Sequence, residues 1–144
     1  MFSKTCEYAI RAIIFIAWQS KEGNRTSIRD IAKGIDSPEH FIAKILQEMS
    51  RKGFVNSTKG PNGGFYMDKK TLKTTIADIV NHFDGQKVFT ACALGLQQCS
   101  ETKPCPLHQE YKPIRKRIND MLSSAQIGVI SDEINWEATY LKLK

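Results

Sequence analysis

Apolar residues recur through the first twenty positions at helical spacing. Tyr8, Ala9, Ala12, Ile13, Ile16 and Ala17 share one face, and Ile10 and Ile14 widen it. The pattern predicts a largely buried helix from about Lys4 to Gln19, capped by Ser3. Gly23-Asn24 breaks it. Ser27 caps a second, short helix from Ile28 to about Gly34, with Asp30 completing an approximate capping box and Ile31, Ala32 and Ile35 facing inward. Asp36-Ser37-Pro38 then turns the chain, with Ser37 as cap and Pro38 at the first helical position, where its missing N–H costs nothing. The third helix, Pro38 to about Lys52, puts Phe41, Ile42, Ile45, Leu46 and Met49 on a core stripe. His40, Ala43, Lys44, Gln47 and Arg51 lie on the opposite face, and Gly53 ends the helix.

The period then changes. Residues 54–58 and 65–67 read as strands, and Lys59-Gly60-Pro61-Asn62-Gly63-Gly64 between them is a strong turn signal. Two short helices, a glycine-terminated third helix and a hairpin describe a winged helix-turn-helix. Thr75 caps a fourth helix over Ile76–Phe83. Residues 86 to about 105 show no period, and a stretch of this kind is usually functional or disordered. A long helix follows from about Pro106 to Ser124, with Pro113 expected to kink it or end its first part. Its stripe of Tyr111, Ile114, Ile118, Met121 and Leu122 fits a coiled-coil-like dimer seam, or packing back on Ile10 to Ile16 of the same chain. Ser131 is expected to cap a last short helix with Ile134, Trp136 and Leu141 apolar. The fold expected is thus mainly α with a small β-hairpin wing: a winged helix-turn-helix plus a long dimerisation helix. Residues 1–84 form the DNA-binding unit, 85–108 a cysteine-rich loop, and 109–144 the dimerisation helix with a C-terminal extension.

Charge adds a partner. The net +6 is uneven: residues 1–70 carry 12 Lys and Arg against 7 Asp and Glu, and residues 71–144 carry 9 against 8. The basic half is the winged half, which points to a polyanion there, or to an ordinary basic surface. No apolar run is long enough for a membrane span, and no secretory signal is evident, so no membrane partner and a cytoplasmic location are expected. No phosphate-binding glycine loop follows a strand, and neither paired carboxylates nor a Ser/His/Asp set stands out, so an enzyme is not expected.

Duplex DNA is read by side chains on the exposed face of the third helix. His40, Lys44 and Gln47 are the candidates for base edges, since Lys donates to guanine and Gln pairs bidentately with adenine; Ala43 is small enough to admit a thymine methyl. Ser27, Arg29 and Arg51 suit phosphates. Pro38 at the helix start and Gly60, Asn62, Gly63 and Gly64 in the wing complete the DNA-facing set, with Gly63-Gly64 permitting close backbone approach and Lys59 within reach of the adjacent minor groove.

Cys92, Cys99 and Cys105 lie within fourteen residues of each other, and Cys6 stands apart on the first helix as a small buried residue. In an intracellular chain such a cluster means metal or redox chemistry more often than disulfides. Cys105 and His108 share a helical face, and Cys105 as N-cap would favour its thiolate. Three thiolates and an imidazole are also a good tetrahedral zinc set.

The opening Ser3-Lys4-Thr5-Cys6-Glu7-Tyr8-Ala9-Ile10-Arg11-Ala12, the wing Gly60-Pro61-Asn62-Gly63-Gly64-Phe65-Tyr66 and the run Cys92-x6-Cys99-x5-Cys105-Pro106-Leu107-His108 together resemble the Rrf-two (Rrf2) family, the IscR/NsrR-like group of bacterial regulators. The resemblance spans Phe2 to about Ser124. It implies a homodimeric winged-helix regulator, usually a repressor, reading a pseudo-palindromic operator. It also implies that the three cysteines hold an iron–sulfur cluster sensing redox state, nitric oxide or iron–sulfur status: [2Fe–2S] in first place, [4Fe–4S] or zinc as alternatives. His108 matches a fourth-ligand position in part of the family; other members use a carboxylate from the first helix of the partner subunit, where Glu7 stands here as the alternative. The competing reading is a winged-helix regulator with a structural zinc site or no metal, signalled by a thiol switch or a protein partner.

Overall fold

Helix α1 (Lys4–Lys21) is the spine of the fold. Ser3 Oγ accepts from the Cys6 amide at 3.1 Å, and the helix runs two residues beyond the expected end. Its face of Cys6, Ala9, Ala12, Ile13, Ile16 and Ala17 is fully buried. The alanines let neighbouring helices approach closely, and α1 packs against four of the later helices and the second wing strand. The computed structural model describes residues 1–97, 99–134 and 141.

Helices α2 (Ile28–Gly34) and α3 (Glu39–Lys52) form the helix-turn-helix. Ser27 Oγ accepts from the Asp30 amide at 3.2 Å. The turn requires Asp36 in the left-handed region, at φ 54°, a conformation Asp tolerates better than most residues. Pro38, not Ser37, is the N-cap of α3, and it provides no side-chain cap. Ser37 instead closes the turn, its amide donating to the Ala32 carbonyl at 2.9 Å. Gly53 ends α3 at φ 85° as expected. Ile42, Ile45, Leu46 and Met49 are buried, but Phe41 is 50% exposed. It lies one position off the buried arc, against Tyr8 and His40, with ring centroids 6.4 and 4.7 Å away.

Strands β1 (Asn56–Thr58) and β2 (Gly64–Tyr66) pair antiparallel, Ser57 opposite Phe65. They are shorter than expected. Thr26 adds a single rung on the other edge of β2: its amide donates to the Phe65 carbonyl at 2.9 Å, and the Phe65 amide returns to Thr26 O at 2.8 Å. The wing is thereby sewn to the start of α2.

Helix α4 (Ile76–Asp84) begins in a complete Thr75–Asp78 capping box. Its last residue, Asp84, accepts from the Ser3 amide at 2.8 Å and from the Ser3 hydroxyl, tying it to the start of α1. The aperiodic stretch contains one short helix, α5 (Lys87–Thr90). Helix α6 (His108–Ser124) begins later than expected, with Leu107 rather than Cys105 at its cap, and it runs unbroken through Pro113. It lies along α4 and α5, not along Ile10 to Ile16 of α1. Its stripe is divided: Leu122 is buried and Ile118 packs on the core, while Ile114 and Met121 are 53% and 55% exposed. Helix α7 (Ile127–Glu133) follows, with Gln126 as its cap. Ser131 lies inside this helix, its hydroxyl donating to the Gly128 carbonyl. Ile134 falls beyond α7, and Trp136 lies outside the described residues. Leu141 offers its carbonyl to Arg11 Nε at 2.9 Å. Among the described residues no helix is long and apolar enough to cross a membrane.

Candidate nucleic-acid interface and cysteine centre

The outer face of α3 presents His40, Lys44, Gln47 and Arg51 to solvent, with Ala43 half-buried among them. Lys44, Gln47, Glu48 and Arg51 line an open groove of about 540 Å³. Among the described residues Glu48 is the one acid lining it, and His82 Nε2 lies 3.1 Å from its Oε1, so His82 has a partner at the edge of this face. Arg29 and Pro38 are exposed. Ser27 is exposed too, although its hydroxyl is engaged in capping α2.

Lys59, Gly60 and Asn62 are exposed at the wing tip. Gly63 and Gly64 serve the hairpin itself. A Cβ on Gly63 would overlap the Thr58 carbonyl oxygen, and one on Gly64 would lie 2.9 Å from Thr26 O. Arg25, absent from the sequence reading, is also exposed here, its guanidinium carbon 5.0 Å from the centroid of the Tyr66 ring. The signal that marks it is the Thr26 bridge, a single rung with no period to betray it.

The cysteine centre lies on the segment joining α5 to α6. The Cys92 thiol donates to Cys105 Sγ at 3.6 Å, and Cys99 Sγ lies 3.3 Å from His108 Nδ1. The four expected donors are thus brought together as two pairs. Among the described residues no three His, Cys, Asp or Glu side chains converge as a closed metal site. Backbone N–H groups, Leu94 first and Leu96 after it, hold the Cys92 thiol below its ordinary value, aided by Cys105 and Arg115. His108 is 3% exposed, and its Nε2 lies 3.4 Å from Glu101 Oε2 without forming a hydrogen bond. The Lys112 ammonium, then His108, holds the Glu101 carboxyl below the usual range, and Lys112 pairs with it directly. Arg115 donates to the carbonyls of Thr90 and Ala91 at 3.2 and 3.1 Å, fixing the residues just before Cys92 onto α6. Glu101, Lys112 and Arg115 escaped the sequence reading because their roles depend on the path of the loop.

In kind, the donor set fits a soft metal centre: three thiols free of disulfides and a buried imidazole whose Nε2 forms no hydrogen bond. Glu7 lies on the first turn of α1, 3.2 Å from Lys4 Nζ, and joins neither pair. Cys6 is fully buried on α1; burial first, and Asp84 next, push its thiol up to about 12.

The model of the Rrf2 family, described as an iron-dependent transcriptional regulator, matches residues 2–133. An HTH-type transcriptional regulator of Aquifex aeolicus (strain VF5) is 34% identical over 143 residues, covering 98% of this chain and 96% of that one. The HTH-type transcriptional regulator NsrR of Geobacillus kaustophilus (strain HTA426) is 29% identical over 102 residues, 70% and 69% of the two chains. Among solved structures, CymR (YrzC), the global cysteine regulator of B. subtilis, superposes with a TM-score of 0.74 at 19% identity, over 94% of this chain and 98% of that one.

Proposed function

The chain belongs to the Rrf2 family of DNA-binding transcriptional regulators, and from that premise we propose a cytoplasmic homodimeric repressor whose operator affinity is set by an iron–sulfur cluster on Cys92, Cys99, Cys105 and His108. The observation that carries the reading is the pairing of these four donors on the one segment that links the winged domain to α6. Relatives named NsrR and IscR support the cluster. A [2Fe–2S] cluster is the form proposed, and when bound it supplies a redox-active, nitric-oxide-reactive centre.

The chain's own residues convert the state of that segment into a position of α6. His108 is the first residue of α6, Lys112 pairs with Glu101 of the loop, and Arg115 clamps the carbonyls of Thr90 and Ala91. Helix α6 lies on α4, α4 on α1, and α1 on α3. A shift in residues 92–108 therefore has a continuous packed route to the recognition helix. The exposed Ile114 and Met121 provide the apolar seam for a second copy. In the dimer, His40, Lys44 and Gln47 read base edges of a pseudo-palindrome, Ser27, Arg29 and Arg51 hold phosphates, and Lys59 enters the minor groove. Lys44→Ala is then expected to weaken operator binding far more than binding to random DNA; equal losses would reduce Lys44 to a phosphate contact.

The test is a visible absorption spectrum with iron, sulfide and zinc analysis of anaerobically purified protein. A brown sample with equal iron and sulfide, bleached or destabilised by His108→Ala, supports the assignment. Unchanged absorbance and stability in that variant would remove His108 from the ligand set. A second reading rests on the 3.6 Å between Cys92 and Cys105: a thiol switch without metal. A colourless protein with neither metal after reconstitution would favour it, and one zinc per chain would mean a structural site.

A further inference from the structure

The Thr26–Phe65 bridge places Arg25 directly opposite Tyr66. Side chains alternate across a strand, so these two share one face and Thr26 and Phe65 the other. Burial follows that alternation: Thr26 is buried and Phe65 packs on the core, while Arg25 is exposed. The Arg25 guanidinium lies over the Tyr66 ring at 5.0 Å, and among the described residues it forms no salt bridge. The ring holds the guanidinium by its face and leaves the N–H edges open. Arg25 stands two residues before the Ser27 cap and four before Arg29, beside a wing whose residues 56–67 contain Lys59 and no acid. A planar, permanently charged fork, oriented and without a carboxylate, is the arrangement suited to a phosphodiester.

We propose that Arg25 is a DNA-backbone contact at the junction of wing and α2, and that Tyr66 is its positioning residue. Arg25 grips a phosphate oxygen through its open N–H edge while the ring fixes its direction. The contact is independent of base sequence, and it does not rest on the cluster reading.

Binding of the full-length protein to a random-sequence duplex, measured by fluorescence anisotropy over a salt series, tests this. Arg25→Gln is expected to weaken binding and to flatten the slope of log affinity against log salt by about 0.9 per chain, with the melting curve unchanged. Arg25→Lys restores the slope. Tyr66→Leu keeps the slope and weakens binding about two- to fivefold. Tyr66→Phe, which keeps the ring, behaves as the parent. An unchanged slope in Arg25→Gln would overturn the contact, as would a loss confined to the operator. Parent-like affinity in Tyr66→Leu would overturn the positioning role.

Discussion

Gly64→Ala tests how the wing is attached. Gly64 has φ +149°, and a Cβ there would lie 2.9 Å from Thr26 O and 3.0 Å from both Thr26 C and N. All three are backbone atoms, so no side-chain rotation relieves the overlap. The backbone strain costs about 1–3 kcal/mol. Forcing Thr26 away also breaks the two Thr26–Phe65 hydrogen bonds, at 2.9 and 2.8 Å, each worth about 1 kcal/mol. The sum is about 3–5 kcal/mol, and it falls on the wing. Ile13, Ile16 and Leu46 are buried by helix packing and do not depend on the bridge. Amide hydrogen exchange reads this locally: protection at Thr26 and Phe65 should fall about a hundredfold to several thousandfold, since 1.4 kcal/mol is a factor of ten. Amides of α1 should be nearly unaffected. Gly60→Ala is the control, because Gly60 also has positive φ, +99°, but an added Cβ meets nothing within 4 Å; the bridge should survive it. Parent-like protection at Phe65 in Gly64→Ala would refute the reasoning.

Leu122→Ala should lower stability by about 2–5 kcal/mol in urea unfolding, since Leu122 is one of the buried contacts of α6 with the core. Met121→Lys, on the exposed half of the stripe, should shift sedimentation from dimer to monomer while leaving the helical circular dichroism intact; a persisting dimer would move the seam elsewhere. In native metal-free protein at pH 8, iodoacetamide should label the partly exposed Cys99 and Cys105 and spare Cys6, whose thiol is fully buried and pushed up to about 12; mass mapping decides. The Thr71 amide, with the Thr71 hydroxyl adding to it, holds Asp68 below the usual carboxylate range. Its contribution to stability is therefore present above the unfolded value, about 3.9, and is lost as pH falls through the folded one. Acid unfolding of Asp68→Ala should lack that part of the pH dependence.

The helices legible in the sequence are those whose apolar residues face one way. Ile13 and Ile16, or Ile42, Leu46 and Met49, leave little choice of face, and caps such as Ser3, Ser27 and Gly53 mark the ends. Ser37 and Pro38 show the limit: both suit a helix start, and the tight turn at Asp36 decides which of them caps. Phe41 fails the pattern because its outward position sets it against Tyr8 and His40, a contact no helical period can show. The Thr26 rung of the wing was hidden because Thr26 pairs across 39 positions as a single bridge. At the cysteine centre the nearness of Cys92, Cys99, Cys105 and His108 was legible from residue type and spacing. Their division into two pairs was not, nor were the loop ties made by Glu101, Lys112 and Arg115, because an aperiodic segment carries no signal of its path.

The most direct test of cluster control is the affinity of the protein for an operator recovered by selection from random duplexes. It is measured anaerobically, at one salt concentration, for cluster-loaded and cluster-free protein side by side. The account requires the two affinities to differ by about tenfold or more, with both forms equally folded and dimeric. Equal affinities would contradict it, leaving a DNA-binding regulator whose cysteines do not control its grip on DNA.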